Sequence, residues 1–529
     1  MTELHPNHLH AMLCDAAYVA DPLALFSQLT QPNDNSLLLE SAEIDTKAGT
    51  QSLLLVDSCV RLTCRGQTVD AEALNPNGLA VLDRLQSGLP SSVEQLRNSD
   101  ERLILNFPAI DTEQDEDSRL KALSVLDSLR TLLTQLHCEQ GQEAIFLGGI
   151  FAYDLIANYE TLPAVAEARN DCPDFCFYVA ETLIHIDHRL KRSQLRAVAF
   201  GGDHFASEYQ RLQTRLATLA ERCNHFVKPE LPAALPLEGI IQTNRDDKAY
   251  CADVERLKGH IRKGDIFQVV PSRCFSLPCP QPLLAYRQLK KTNPSPYMFY
   301  MNDREFTLFG ASPESAVKFE THTRQVEMYP IAGTRRRGLN ADGSINLDLD
   351  GRIELDLRQD SKETAEHLML VDLARNDIAR ISEPGTRYVR DLLKVDRYSH
   401  VMHLVSKVVG TLRHDLDALH AYQACMNMGT LTGAPKIRAS ELIREVEGER
   451  RGSYGGAVGY LSGNGDMDTC IVIRSAFVKH GIAHVQAGAG VVYDSRPQSE
   501  ADETRGKAAA VLNAIALAHG KTLAEVTHG

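Results

Sequence analysis

Between Ile266 and Gly310 the chain carries short runs of β-branched and aromatic residues, IFQVV and YMFYM among them, cut by Pro271, Pro278 and Pro294. Such runs read as strands. Further strand-like runs occupy Met402 to Val409 and Ile471 to Phe477, whereas Ser361 to Ile381 and Pro497 to Ala518 carry helical periodicity. Strands that cluster and do not alternate strictly with helices predict an α+β or layered α/β body, not a doubly wound parallel sheet.

At 529 residues the chain exceeds what one hydrophobic core usually supports. Pro229, Pro232 and Pro236 punctuate the stretch from Lys228 to Thr243, which has neither helical nor strand periodicity, and this is the predicted boundary. Directly after it Tyr250, Val254, Leu257 and Ile261 recur at helical spacing, with Gly264 placed as a C-cap. The expected division is residues 1–235 and residues 245–525.

A net charge of −14 repels phosphate backbones, so nucleic acid is not an expected partner. A small anionic substrate must then be drawn in by particular cations or a metal. Residues 1–30 lack a basic start followed by an apolar core, and the apolar run Ala508 to Ala518 is too short for a bilayer. A cytoplasmic protein with no membrane contact is expected. Of twelve cysteines only Cys172 and Cys176 approach metal-ligand spacing, and no second pair accompanies them, so reduced thiols are expected.

Two E-x-x-E pairs hold the most chemical information: Glu363 with Glu366, and Glu500 with Glu503, both near predicted helix starts. Residues three apart share a helix face, so two such helices converging would make an oxygen-rich site suited to Mg²⁺. The alternative for each pair alone is local: Asp360 with Glu363 forms a capping box, and acids near a helix N-terminus meet its dipole. His403 alternates onto one strand face with Val401 and Val405, as a core residue or as an acid–base group. Gly488 and Gly490 lie between strand-like runs in VQAGAGVVYDS, which allows a tight bend or close backbone approach to a ligand; Tyr493 stands where a dinucleotide fingerprint needs its third glycine. GTLTGAPK lacks phosphate-loop spacing, and Arg335, Arg336 and Arg337 suit either a carboxylate or solvent.

Taken in order, IFQVVPSR, GASPES, PIAGTR, ETAEHLMLVDLARND, VMHLVS, GTLTGAPK and VQAGAGVVYDS resemble the chorismate-utilising enzyme family, over roughly Asp246 to the C-terminus. The resemblance implies antiparallel sheets forming a sandwich flanked by helices, with a smaller N-terminal lobe. It further implies that Glu366 and Glu503 bind Mg²⁺ directly, with Glu363 and Glu500 lining the same site or binding through water. Arg474 and Tyr454 would grip the enolpyruvyl carboxylate beside the backbone of Gly488, Ala489 and Gly490. Gly333 and Thr334 would face the substrate, Lys507 would add a cation, and Thr430 would position the ring. Glu314 would protonate the departing hydroxyl and His403 would serve the loss of pyruvate.

Two positions resemble the ammonia-using, anthranilate-forming branch. Gln268 stands where water-adding relatives carry a lysine base, and ammonia needs no such base. Ala332 stands where many aminodeoxychorismate synthases carry a nucleophilic lysine. An enzyme of that para-aminating kind, or a noncatalytic tryptophan-binding relative, are the alternatives. No glutaminase motif is present, so the resemblance implies ammonia from a separate glutamine amidotransferase subunit, in a hetero-oligomer of two large and two small subunits. Glu40 and Ser41 in LLLES, with Pro296, Tyr297 and Met298 in NPSPYM, resemble the family's tryptophan feedback site.

Overall fold

Two long antiparallel strands, Gln51–Arg65 and Phe175–Asp187, organise the computed structural model, which describes residues 4–32, 34–41, 51–398 and 401–527. They pair from Gln51 opposite Asp187 to Cys64 opposite Phe175, with register shifts between Leu55 and Val60. Bulges of this kind bend a strand and sharpen its twist, and here the outer neighbours change across the bend. On one side lie Ser36–Glu40 and Arg192–Phe200; on the other lie Thr68–Ala73 and Phe146–Phe151.

Each side extends into its own sheet. The first continues from Ser36–Glu40 through Tyr297–Asn302, Thr307–Ser312, Ser475–Lys479 and Ile482–Gly488 to Ser272–Pro278. The second continues from Phe146–Phe151 through Ala457–Ser462, Met467–Ile471, Ser315–Glu320 and Gln325–Met328 to Val401–Thr411. That last strand also pairs with Ile331–Arg336 and Tyr388–Arg397. Strands from either side of the 235–245 division therefore hydrogen-bond directly, Met298 opposite Glu40 and Val458 opposite Ile150 among them. The division itself falls in 228–241, which has no regular secondary structure.

Leu37, Leu55, Phe299, Met301 and Phe477 of the first sheet meet Phe146, Ile150, Tyr178 and Val458 of the second, so the sheets face each other around a shared core. The outer face of the first sheet is covered by Phe205–Asn224, Pro282–Thr292 and Pro497–Ala518, whose Leu212, Tyr286 and Ile515 are buried. The outer face of the second is covered by Pro76–Gly88, Asp127–Gln135 and Ser361–Ala379, through Leu82, Leu132 and Ile378. The result is the helix-flanked antiparallel sandwich that the family resemblance implies. No helix among the described residues is long and apolar enough to cross a membrane.

Two elements position the site. Asp360 caps the Ser361–Ala379 helix, accepting hydrogen bonds from the Lys362 and Glu363 amides, which satisfies donors otherwise left open at a helix start. His367, fully buried on that helix, locks it to the sheet through Nε2, 2.6 Å from the Ser406 hydroxyl. The predicted strand Ile471 to Phe477 is in fact two strands, Met467–Ile471 and Ser475–Lys479, because Arg474 adopts φ of 50°. A side chain in that left-handed region is uncommon, and the turn carries the Arg474 guanidinium out of the sheet pattern.

Candidate active site

A cavity of about 520 Å³ opens where the first turns of Ser361–Ala379 and Pro497–Ala518 approach Ile331–Arg336, Val401–Thr411 and the end of Ile482–Gly488. It is lined by Gln268, Glu314, Gly333, Thr334, Glu363, Glu366, His403, Thr430, Tyr454, Arg474, Gly488, Gly490, Glu500, Glu503 and Lys507. Residues separated by more than two hundred positions thus share one wall. Ala489 is buried between two lining glycines, and its amide donates to the Pro271 carbonyl.

The two acidic pairs face each other across one end. Burial is the main cause that raises the Glu366 carboxyl above its usual range, with the charges of Glu363, Glu500 and Glu503 pushing the same way. Glu500 is raised likewise, by burial and then by Glu503. Four carboxylates lining one end of a cavity, two of them held above their usual range, are a donor set for a hard divalent cation, which relieves that repulsion. Among the described residues no group of three acids, histidines or cysteines stands close enough to hold an ion unaided. The reason is visible in their present partners: Glu363 pairs with Arg335 at 2.9 Å, Glu503 with Lys507 at 2.7 Å, and Glu366 lies 3.7 Å from Lys362. Glu363 therefore leaves the expected capping box half made, and Arg335 holds an internal carboxylate, as Arg337 does with Asp350.

At the other end Arg474 is a half-buried cation lining the cavity, with no carboxylate within 4 Å among the described residues, and desolvation lowers its pKa. A partly desolvated charge without a counter-charge gains from one, so the guanidinium is poised for an anion entering the cavity. Tyr454 stands beside it, its hydroxyl 3.0 Å from where a Cβ on Gly488 would sit, and burial raises it to about 12. Lys507 donates to the Gly488 carbonyl at 2.9 Å, tying the acidic helix to the glycine wall. A Cβ on Gly490 would lie 2.7 Å from Gln268 Nε2, so glycine there makes room for Gln268. Gln268 Oε1 is buried and has no hydrogen-bond partner, an acceptor facing the cavity unfilled.

Glu314 lies between these ends. Burial drives its pKa to about 8, against the opposing charges of Lys507 and Arg474 and the nearby Thr430 hydroxyl. Thr430 approaches closely enough to oppose the rise but makes no well-formed hydrogen bond, and its buried oxygen stays unpartnered. At neutral pH Glu314 is thus protonated and can donate. His403 behaves oppositely: burial, then Arg474, lowers it to about 4, leaving a neutral imidazole able to accept a proton. Its Nδ1 is 2.9 Å from the Thr334 hydroxyl, directly opposite across the strand pair. Gly333 makes that register possible with φ of 78° at a bulge.

Several lining residues carry no sequence signal: Lys362 between the acidic pairs, Gln486 beside Gly488, and the apolar Val270, Ile331 and Ile473. Alternation along Ile482–Gly488 could have pointed to Gln486, which shares a face with Gly488. Away from the cavity, Glu40 accepts from the Tyr286 hydroxyl at 2.8 Å and pairs with Lys290. It sits opposite Met298, and the Ser41 amide bonds to Gln51. Tyr297 and Met298 point to opposite sheet faces, Tyr297 toward the inter-sheet core and Met298 toward the helices. Asn293, Pro294 and Ser295, just before Pro296, line a smaller cavity of about 100 Å³ together with Thr334, His403 and Arg474.

Fold and cavity together define the type of site an enzyme uses, with a half-buried cation at one end, a carboxylate cluster at the other, and a protonated carboxyl and a neutral imidazole between them. The chain belongs to the family of chorismate binding enzymes, whose sequence model matches residues 94–513. It is 60% identical over 518 residues to anthranilate synthase component 1 of Vibrio cholerae, covering 97% of both chains. The corresponding protein of Salmonella typhimurium is 58% identical over 512 residues, with 97% of this chain and 98% of that one covered. Among solved structures, anthranilate synthase component I of Streptococcus pneumoniae superposes with a TM-score of 0.66 at 30% identity, over 89% of this chain and 94% of that one. The menaquinone-specific isochorismate synthase of Escherichia coli superposes at 0.65 with 18% identity, over 96% of this chain and 94% of that one, which concerns the fold alone.

Proposed function

We propose that the chain is the chorismate-aminating large component of an anthranilate synthase, adding ammonia to chorismate and releasing pyruvate and anthranilate, the first committed step of tryptophan biosynthesis. The observation that carries this reading is the pairing, in one cavity, of a half-buried Arg474 without a carboxylate partner among the described residues with a protonated Glu314 and four clustered carboxylates. Chorismate has two carboxylates to match the two ends. Arg474 and Tyr454 hold the enolpyruvyl carboxylate against Gly488, Ala489 and Gly490, with Lys507 bracing that wall. Gly333, Thr334 and Thr430 set the height of the ring.

Glu366 and Glu503, assisted by Glu363 and Glu500, would hold Mg²⁺. When bound, the ion neutralises the ring carboxylate and stabilises electron density as the ring bonds shift. Glu314 gives its proton to the departing ring hydroxyl, which leaves as water while ammonia adds next to the carboxyl-bearing carbon. His403, neutral, then accepts the proton of the aminated ring carbon as the bond to the enolpyruvyl oxygen breaks and the ring becomes aromatic; that proton, passed to the methylene carbon of the departing enolate, completes pyruvate. Gln268 offers ammonia a hydrogen-bond acceptor without providing a base for water, and Ala332 offers no nucleophile to the ring.

Ammonia comes, in this reading, from a separate glutamine amidotransferase subunit in an assembly of two large and two small chains, in the cytoplasm. Residues 1–235 carry regulation and residues 245–525 carry chorismate binding. Glu40, Ser41, Pro296, Tyr297 and Met298 form the tryptophan site, the last three chiefly through backbone, and the 293–295 segment links it to His403 and Arg474. The test is the purified chain with chorismate, ammonium and Mg²⁺ at mildly alkaline pH. Fluorescent anthranilate that disappears with chelator supports the reading; a para-substituted product, or none, overturns it. The chain contains no tryptophan, so the product is read against little background.

A further inference from the structure

Outside the cavity lies a fully buried ion pair that the reaction does not use. Arg451, 1% exposed, binds Glu447 through two N–H groups, Nε to Oε2 at 2.9 Å and Nη2 to Oε1 at 2.6 Å. Its remaining hydrogen bonds go to the backbone carbonyls of Leu431 at 2.8 Å and Val270 at 2.6 Å. The guanidinium carbon also lies over two rings, 4.6 Å from the centroid of Tyr153 and 5.6 Å from that of Tyr454. A planar fork of fixed donors suits this bidentate, stacked arrangement, and an ammonium cannot reproduce it.

Three of those partners form part of the cavity wall. Val270 and Leu431 line it, next to Gln268 and Thr430, and Tyr454 lines it with its own ring. Glu447 extends the network: its Oε1 accepts from both the amide and the hydroxyl of Ser272, at 2.7 and 2.8 Å. That hydroxyl in turn accepts from Gln486 Nε2 at 2.8 Å, and Gln486 faces the cavity. From the first half of the chain, the Tyr153 hydroxyl reaches Thr432 at 3.3 Å, and Asp154 accepts from the Gly452 amide at 2.8 Å.

We propose that Arg451, with Glu447, is a positioning residue that sets Gln268, Thr430, Tyr454 and Gln486 in one register around the substrate, braced by Tyr153 from the N-terminal half. The pair touches no reacting atom. A hydrophobic pair of similar volume could fill the space at no loss of stability, but it would leave the Leu431 and Val270 carbonyls without their donor and the Tyr454 ring without its platform. Misplacement of such groups by a fraction of an ångström is felt in turnover more than in folding. The kinetic half of this inference rests on the reading above; the structural half does not.

The experiment compares the full chain with Arg451→Lys, which keeps the charge and loses the fork, and with Ser272→Ala, which cuts only the Gln486 link. Hydrogen exchange is followed in segments 268–272, 429–432 and 453–456, with strand His8–Ala16 as an internal control. Arg451→Lys is expected to exchange about tenfold or more faster in all three segments while the control strand is unchanged. Its chorismate KM is expected to rise, and kcat to fall, by about tenfold or more at a temperature where the variant is still fully folded. Ser272→Ala, which leaves the fork intact, is expected to raise KM a few-fold with little change in kcat. Unchanged local exchange in Arg451→Lys, or kinetics that change only in proportion to global unfolding, overturns the proposal. If Arg451→Lys does not fold, unaltered kinetics in Ser272→Ala overturn it. Wild-type chain that makes no anthranilate sinks the functional reading alone, and exchange still decides the strut.

Discussion

Replacing Glu314 by glutamine tests the site's central claim through both stability and catalysis. Burial moves this carboxyl from its ordinary 4.5 to about 8. Between those values the folded chain keeps a proton that the unfolded chain has released. Stability from this group is therefore complete below about pH 4.5 and is lost progressively as pH rises through about 8. At about 1.36 kcal/mol for each tenfold change in proton affinity, the loss across that window is about 5 kcal/mol. Glu314→Gln carries no such dependence, so urea unfolding of the two proteins from about pH 5 to about pH 9 should show the wild type falling relative to the variant by an amount of that order. Catalysis supplies the second arm. With free ammonia held constant, wild-type kcat/KM should fall above about pH 8 as the donor ionises, and Glu314→Gln should lose about 10²- to 10⁴-fold with no corresponding limb. A wild type and variant whose stability difference is flat across that range would refute the buried, protonated donor.

Three further outcomes are expected. His403→Gln should lower kcat by about 10²-fold or more while sparing chorismate KM, and because His403 is held near 4, no limb in the pH profile around neutrality should belong to it. Arg474→Ala should raise chorismate KM by about 10²-fold or more, since it removes the cation awaiting the substrate carboxylate; an unchanged KM in steady-state assays would contradict that role. Glu366→Gln and Glu503→Gln should each shift the Mg²⁺ concentration for half-maximal activity upward by about tenfold or more, measured by metal titration, whereas a change in kcat alone would place the ion elsewhere.

The α+β character was legible because the strand runs are short and β-branched, and because helices such as Asp247–Lys263 end on a glycine at φ of 82°; the sandwich came from the family resemblance, and the helix Pro282–Thr292 inside the 266–310 stretch went unread. The break at Arg474 was not legible: IVIRSAF reads as one strand, and nothing local announces that a non-glycine residue turns left-handed within it. The acidic pairs were visible as spacing, yet their convergence was not, since it depends on two helices set by separate sheets. Lys362 and Gln486 stayed hidden for a related reason. Each reaches the cavity through tertiary placement, and an exposed-looking lysine beside a helix cap has an ordinary local explanation. The network around Arg451 was likewise invisible, because five of its partners come from four separate stretches of chain.

The two bent strands Gln51–Arg65 and Phe175–Asp187 belong to both sheets at once. Truncation at residue 235 would therefore strip Ser36–Glu40 from Tyr297–Asn302 and Phe146–Phe151 from Ala457–Ser462, baring ladder edges within an apolar body. Such a fragment should aggregate, not titrate. For anyone engineering this scaffold, the proposed feedback site is to be altered by point changes around Glu40, because residues 1–235 are also half of the chassis.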